Sequence, residues 1–142
     1  MRKIWWLAAG LFLLPVLAGC RAEPTGPCAY VDIPGECTIM AVMEPSADAM
    51  NCSTDPVEVR FDFIPDDLDA RKDYRFPNMA DERQLLTVAG GANPPRTWVE
   101  DEGLTEGSRH ACVRREITRG TCTPVLFEFT GVDTEAAADQ CY

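Results

Sequence analysis

The clearest pattern along this chain is the alternation of apolar and polar residues from Pro56 to Ile64. Every second residue is apolar, and these residues are Val57, Val59, Phe61 and Phe63. The residues between them are Glu58, Arg60 and Asp62. Because successive side chains of a strand point to opposite faces, this period of two predicts an antiparallel strand with one face buried and the other in water.

Three other stretches also favour strands. The apolar run Cys37–Met43 lies between Pro34-Gly35 and Glu44-Pro45 and predicts a buried strand. Leu85–Ala89 predicts another, and Ala111–Thr130 predicts a hairpin that turns at Arg119-Gly120. A short helical turn or coil is expected after Gly131, and Trp98 is expected to pack in the core or against a loop rather than to bind a ligand. The fold class is therefore mainly β, a small antiparallel β-sandwich or barrel-like domain stapled by disulfides.

Six cysteines follow Cys20, and an even set of this kind is typical of disulfides in an oxidising compartment. They are Cys28, Cys37, Cys52, Cys112, Cys122 and Cys141. With a two-residue turn in the hairpin, Cys112 would face Phe127 and Cys122 would face Ile117. The two cysteines would then lie roughly 17 Å apart on opposite faces, whereas a disulfide needs Cα atoms within ~7 Å. They should not pair with each other, and the other connectivities stay open.

The N-terminus has the organisation of an export signal. Arg2 and Lys3 precede the uncharged run Ile4–Leu17, which as a helix of roughly 21 Å is shorter than the ~30 Å hydrocarbon core of a bilayer. The residues that follow, Leu17-Ala18-Gly19-Cys20, resemble the lipobox of bacterial lipoproteins. That resemblance implies cleavage before Cys20 and a membrane anchor through N-terminal lipid on Cys20. The alternative is an ordinary secretory signal cleaved after Ala18 or Gly19, which would leave an odd thiol.

The resemblance divides the chain into a signal peptide at 1–19, a lipid-anchored tether at 20–27 and a disulfide-stapled β domain at 28–142. Arg21 follows the lipid cysteine, where enterobacterial lipoproteins retained on the inner membrane carry Asp. The resemblance therefore implies a protein of the bacterial cell envelope, lipid-anchored to the outer membrane.

Charge narrows the choice of partners. The whole chain carries a net charge of −10, and without residues 1–19 it has 11 basic and 23 acidic side chains. Such acidity excludes nucleic acid as a partner, because counterion release requires Lys and Arg on the protein. A protein partner, if there is one, should be basic. The alternative, which the composition favours, is that the acidity serves only solubility. The predicted function is a non-catalytic interaction or structural module. An alternative is a binder or inhibitor of a basic envelope or host protein, similar in class to periplasmic lysozyme inhibitors, although none of their motif residues is present.

Little in the sequence indicates catalysis or a cofactor. His110 is the only histidine, and G-x-S-x-G, H-E-x-x-H and C-x-x-C motifs are all missing from the sequence. We therefore predict no catalytic residue and no cofactor. An acidic stretch could supply oxygen ligands for calcium and consists of Asp66, Asp67, Asp69 and Asp73. It lacks the glycine and the closing glutamate of an EF-hand loop, so an exposed loop is the favoured interpretation and a calcium-dependent module the alternative.

Overall fold

The computed structural model describes residues 27–141. In chain order the elements are β1 (Ala29–Met43), β2 (Glu58–Pro65), a 3₁₀ helix (Leu68–Asp73), β3 (Gln84–Leu86), α1 (Arg96–Asp101), β4 (Arg109–Arg119), β5 (Val125–Phe129) and α2 (Thr134–Cys141). All five strands form one antiparallel sheet in the order β3-β2-β1-β4-β5. The sheet curls into a half-barrel. The mainly β, antiparallel prediction is confirmed, but residues 27–141 form one curled sheet and show no second sheet of a sandwich.

The long central strand β1 produces this curl. Its first part, Ala29–Thr38, pairs with β4, and its second part, Gly35–Met43, pairs with β2. A stagger of this kind between neighbouring strands is what bends a sheet towards a barrel. The predicted strand Cys37–Met43 is the second half of β1. The first half was not predicted because Pro34-Gly35 is typical of a turn, whereas here both residues lie within the strand.

Gly35 has a packing reason for its place in β1. A Cβ atom at this position would collide with the carbonyl oxygen of Ile64 and would lie 2.5 Å from the ring of Phe63. The Phe63 ring therefore lies directly against the backbone of Gly35. This close approach positions the aromatic cluster of the core, in which Phe61 packs edge-on against Phe127 and Phe129.

The strand predicted from the alternating pattern is confirmed as β2. The four apolar residues of the pattern are all at most 2% exposed: Val57, Val59, Phe61 and Phe63. The neighbouring strand β3 is shorter than the predicted Leu85–Ala89. The chain turns instead, with the Val88 N–H donating to Ala92 O at 2.8 Å, and Gly90 and Gly91 supply the positive φ angles of 78° and 111° that this turn needs.

The predicted hairpin is present as β4 and β5, but its turn is wider. Cys112 lies opposite Phe129 rather than Phe127, and Cys122 lies in the connection before β5. The register prediction was wrong because the turn spans residues 120–124 rather than two residues. Within it, Pro124 has no N–H to contribute to a ladder, and Cys122 is bonded to Cys28.

All six cysteines between residues 27 and 141 form disulfides. The pairs are Cys28–Cys122, Cys37–Cys112 and Cys52–Cys141. Cys112 and Cys122 are not joined to each other, as predicted. The central bond links neighbouring strands β1 and β4, and each of the other two closes one end of the sheet.

Candidate interaction surface

The connections between strands lie at two ends of the sheet, the Cys28 end and the helical end. The Cys28 end comprises residues 27–28, the β2–β3 connection 66–83 and the β4–β5 connection 120–124. The helical end comprises the β1–β2 connection 44–57, the β3–β4 connection 87–108 and the C-terminal segment 130–141. Because every strand is antiparallel to its neighbours, successive connections alternate between these two ends.

A buried charge network holds the Cys28 end together. Arg114 of β4 is fully buried and uses all five of its N–H donors. Two of them reach Glu116 Oε1 at 2.9 and 3.0 Å, and one reaches Asp81 Oδ1 at 2.9 Å. The other two reach the backbone carbonyls of Phe76 and Met79 at 2.9 and 3.0 Å. The network therefore ties the 66–83 connection to the inner face of the sheet.

Tyr74 contacts two members of this network, Arg114 and Asp81. Its ring stacks on the Arg114 guanidinium, with 4.2 Å between Cζ and the ring centroid, and its hydroxyl donates to Asp81 Oδ2 at 3.1 Å. Burial, together with the negative charge of Asp81, raises the pKa of Tyr74 to about 12. The neighbouring Arg75 N–H donates to Glu116 Oε2 at 2.7 Å. These contacts bury Arg114 and Glu116 and give the network a structural role, while Tyr74 and Asp81 also line a cavity of about 220 Å³.

The acidic stretch of the same connection does not form a cluster around a metal site. Asp67 accepts from the backbone N–H of Asp69 at 2.9 Å and caps the 3₁₀ helix, while Asp69 pairs with Lys72 at 2.6 Å. Within residues 27–141 no group of three or more His, Cys, Asp or Glu side chains is arranged to hold a metal ion. Asp66 and Asp73 are exposed. No observation therefore favours the calcium alternative.

The helical end is built by interlocking its three segments. Cys52 N–H donates to Asn93 O at 3.1 Å, and Asn93 N–H donates to Met50 O at 2.8 Å. Trp98 of α1 is 1% exposed, and its indole N–H donates to Asp133 O at 2.9 Å, which joins α1 to the start of α2. The disulfide Cys52–Cys141 fixes the other end of α2. The prediction that Trp98 packs in the core is confirmed.

The surface of the helical end is strongly acidic. Its three segments contain ten acidic side chains and one basic side chain, Arg96, a net charge of −9, whereas the Cys28 end contains six acidic and four basic ones, a net charge of −2. Arg96 is already paired with Asp55 at 2.9 Å and Glu44 at 2.7 Å, which raise its pKa. Six carboxylates form no ion pair or side-chain hydrogen bond with any residue in 27–141: Asp48, Glu100, Asp101, Glu102, Glu135 and Asp139.

His110 has one notable neighbour. Its Nε2 lies 2.9 Å from Ser108 Oγ, a pairing also found in hydrolases. No carboxylate among the described residues hydrogen-bonds to the other ring nitrogen, and neither side chain lines any of the clefts described below. The ring instead packs against Phe129, with centroids 6.0 Å apart. The arrangement lacks the orienting group that a triad requires.

A cleft runs between the two edge strands, which we call the open seam. One cavity of about 190 Å³ is lined by Gln84–Thr87 on one side and Val125–Phe127 on the other, with Phe61 between them. A second cavity of about 340 Å³ continues towards the helical end between residues 86–91 and 127–129, and α2 contributes Glu135 to it. The seam marks where the half-barrel stays open.

No protein-family model, no curated protein and no solved structure matches this chain. None of the helices in residues 27–141 is long and apolar enough to cross a membrane. The lipobox at 17–20, with Cys20, and the tether up to residue 26 lie outside the described residues, so the lipid anchor stays a prediction.

The sequence did not point to the two features that distinguish the ends. Arg114 and Glu116 look like ordinary charged strand residues, and only their two-residue spacing hints that they share a face. The acidic residues of the helical end are spread over three separate segments. Their concentration became visible once the antiparallel topology had brought these segments together.

Proposed function

We propose that this protein is a lipid-anchored bacterial envelope protein whose acidic helical end binds a basic protein partner. The observation that carries the proposal is the division of charge, −9 at the helical end against −2 at the Cys28 end. Unpaired exposed carboxylates attract a basic partner at long range and increase its rate of association. A non-catalytic role fits an arrangement in which His110 has no orienting carboxylate among its described hydrogen bonds.

The position of the acidic end suits an anchored protein. The proposed lipid on Cys20 precedes Cys28 by eight residues, and Cys28 lies at the end of the sheet opposite the helices. Eight residues span at most roughly 28 Å when extended. The nearly balanced Cys28 end would then face the membrane, and the acidic helical end would point away from it towards a partner.

The anchor is tested by the intact mass of the full chain extracted from membranes, compared with its Cys20→Ser variant. The expected native mass shows loss of residues 1–19, added acyl chains and no thiol free to react with an alkylating reagent. The variant should carry no lipid. A native mass without acyl chains would contradict the anchor, and free thiols would contradict the three disulfides.

Binding is tested with a lysozyme as the basic probe and the same protein with acetylated lysines as the matched control. The full chain in detergent should bind the basic probe, with an affinity that falls steeply between 50 and 200 mM salt, because added salt screens the attraction between exposed charges. The acetylated probe should bind at least about tenfold more weakly. Equal binding of the two probes, or absence of binding at low salt, would contradict the proposal.

A further inference from the structure

The edge strand β5 leaves one row of backbone groups without a partner. Ile117 N–H donates to Pro124 O at 2.9 Å, and Thr130 N–H donates to Ala111 O at 3.0 Å. Bonded positions alternate along an antiparallel ladder, so Leu126 and Glu128 are the residues of β5 that bond to β4. The alternate residues of β5 are Val125, Phe127 and Phe129. Their N–H and C=O groups point away from β4 and into the open seam. None of these groups bonds to another segment of residues 27–141.

The open seam has an apolar floor beside the unpaired backbone groups of β5, and an added strand needs both features. The inward side chains of an added strand would meet the apolar floor formed by Phe61, Phe127 and Leu86. Its other side would face β3, the opposite edge of the same sheet. Leu85 and Leu126, 40% and 38% exposed, stand on the outer face of the two edges. An extended segment with alternate apolar residues would therefore bury apolar surface and satisfy backbone groups together.

The charge of the residues around the open seam indicates what kind of segment would bind there. The residues that line the two seam cavities include Glu128 and Glu135 and no Lys or Arg. Towards α2 the seam opens onto the acidic helical end, where Asp139 and Glu100 form no ion pair with a described residue. We propose that an extended basic segment of a protein partner adds to β5 as a strand in the open seam. This inference rests on the proposed function, because it specifies how the basic partner is held.

The probe is a ten-residue peptide of alternating lysine and valine. The full chain, isotope-labelled and in detergent, is examined by amide hydrogen exchange with and without the peptide. Exchange at Val125, Phe127 and Phe129 should slow about tenfold or more, because these amides gain hydrogen bonds. Exchange at Leu126 and Glu128 should hardly change, since their amides already bond to β4. These two residues are the internal control.

A second peptide carries the same charges but has N-methyl groups on alternate residues, which removes its donors on one edge. It should still be attracted to the acidic surface but should protect the β5 amides about tenfold less. Equal protection by both peptides would overturn strand addition. So would slowed exchange of the β5 amides that depends on protein concentration and needs no peptide, since this would indicate pairing between two copies of the chain.

Calorimetric titration with the same peptide separates the two proposals. Binding without protection of the β5 amides would overturn strand addition and leave the acidic interaction surface standing. Absence of binding by both the peptide and the basic probe protein would overturn both. Binding with selective protection of Val125, Phe127 and Phe129 would support both.

Discussion

The two ends of this domain use charge in opposite ways. Next to the Cys28 end, Arg114 and Glu116 of β4 are buried together with Asp81 of the 66–83 connection, and every N–H donor of Arg114 has an acceptor. At the helical end the only basic residue, Arg96, is held by two carboxylates, and six other carboxylates are unpaired within residues 27–141. The first arrangement joins a loop to the sheet. The second leaves exposed negative charge that another molecule can contact.

This difference between buried, paired charges and exposed, unpaired carboxylates indicates where function should be sought in an acidic protein without a recognisable motif. A fully buried cation such as Arg114, with all its hydrogen bonds made inside the protein, is not exposed to another molecule. Exposed carboxylates contribute little to folding when they have no partner, and they repel one another. We propose that their concentration at one end serves binding rather than stability.

The largest expected effect concerns the buried network. Arg114→Met should lower the free energy of unfolding by about 3–5 kcal/mol, because Glu116 would keep a buried negative charge without a cation and Asp81 would keep only Arg71, at 3.4 Å. Arg109→Met, on the same strand, is the control: Arg109 is 70% exposed and pairs with Glu36 at 3.5 Å, so its loss should cost about 0–1 kcal/mol. Urea unfolding measures both. Similar losses of unfolding free energy in the two variants would contradict a stabilising role of the buried network.

The next effect compares the disulfides that close the two ends. Cys28–Cys122 and Cys52–Cys141 have sequence separations of 94 and 89, so their loop-entropy contributions should be nearly equal, and replacing either pair by alanine should cost about 2–4 kcal/mol, the typical contribution of a disulfide. Cys52 and Cys141 are buried, whereas Cys122 is exposed. Loss of the pair at the helical end should therefore be the more destabilising in urea unfolding. The reverse order would show that α2 is held mainly by other contacts.

The smallest expected effect concerns Tyr74 at the Cys28 end, and its size depends on pH. Tyr74→Phe removes the hydrogen bond to Asp81 and should cost about 0.5–1.5 kcal/mol at neutral pH. Because the pKa of Tyr74 is raised from 10.0 to about 12, its stabilisation is complete below pH 10 and is lost as the pH rises through about 12. The difference in unfolding free energy between wild type and variant should therefore shrink over that interval. A difference that stays constant from pH 9 to 12 would contradict the raised pKa.

Much of the sheet could be predicted from local patterns. The period of two in β2 and the apolar run in β1 were sufficient, because each reflects burial of one or both faces of a strand. The first half of β1 was missed, since Pro34-Gly35 is accommodated only by packing of Phe63 against Gly35. The hairpin register was missed because the turn spans residues 120–124, which include Cys122, bonded to the distant Cys28. In both places a contact far along the chain overrides the local signal.

The candidate surface was less predictable than the fold. Net acidity predicted a basic partner, but it could not say where on the molecule that partner would bind. The acidic residues of α1 and α2 are more than thirty positions apart in sequence and come together through the Trp98–Asp133 contact and the Cys52–Cys141 bond. The acidic stretch that is contiguous in sequence, which includes Asp67 and Asp69, is instead occupied by a helix cap and an ion pair.

The most direct test of the account compares two charge reversals of equal size. Glu100→Lys with Asp139→Lys changes the helical end, and Asp66→Lys with Asp73→Lys changes the Cys28 end; all four side chains are exposed. Both variants change the net charge by the same amount, and the affinity of each for the lysozyme probe is measured at 50 mM salt. We expect the helical-end variant to bind about tenfold more weakly and the Cys28-end variant to stay within about twofold of wild type. Equal losses in the two variants would show that only net charge matters and would contradict a binding surface at the helical end.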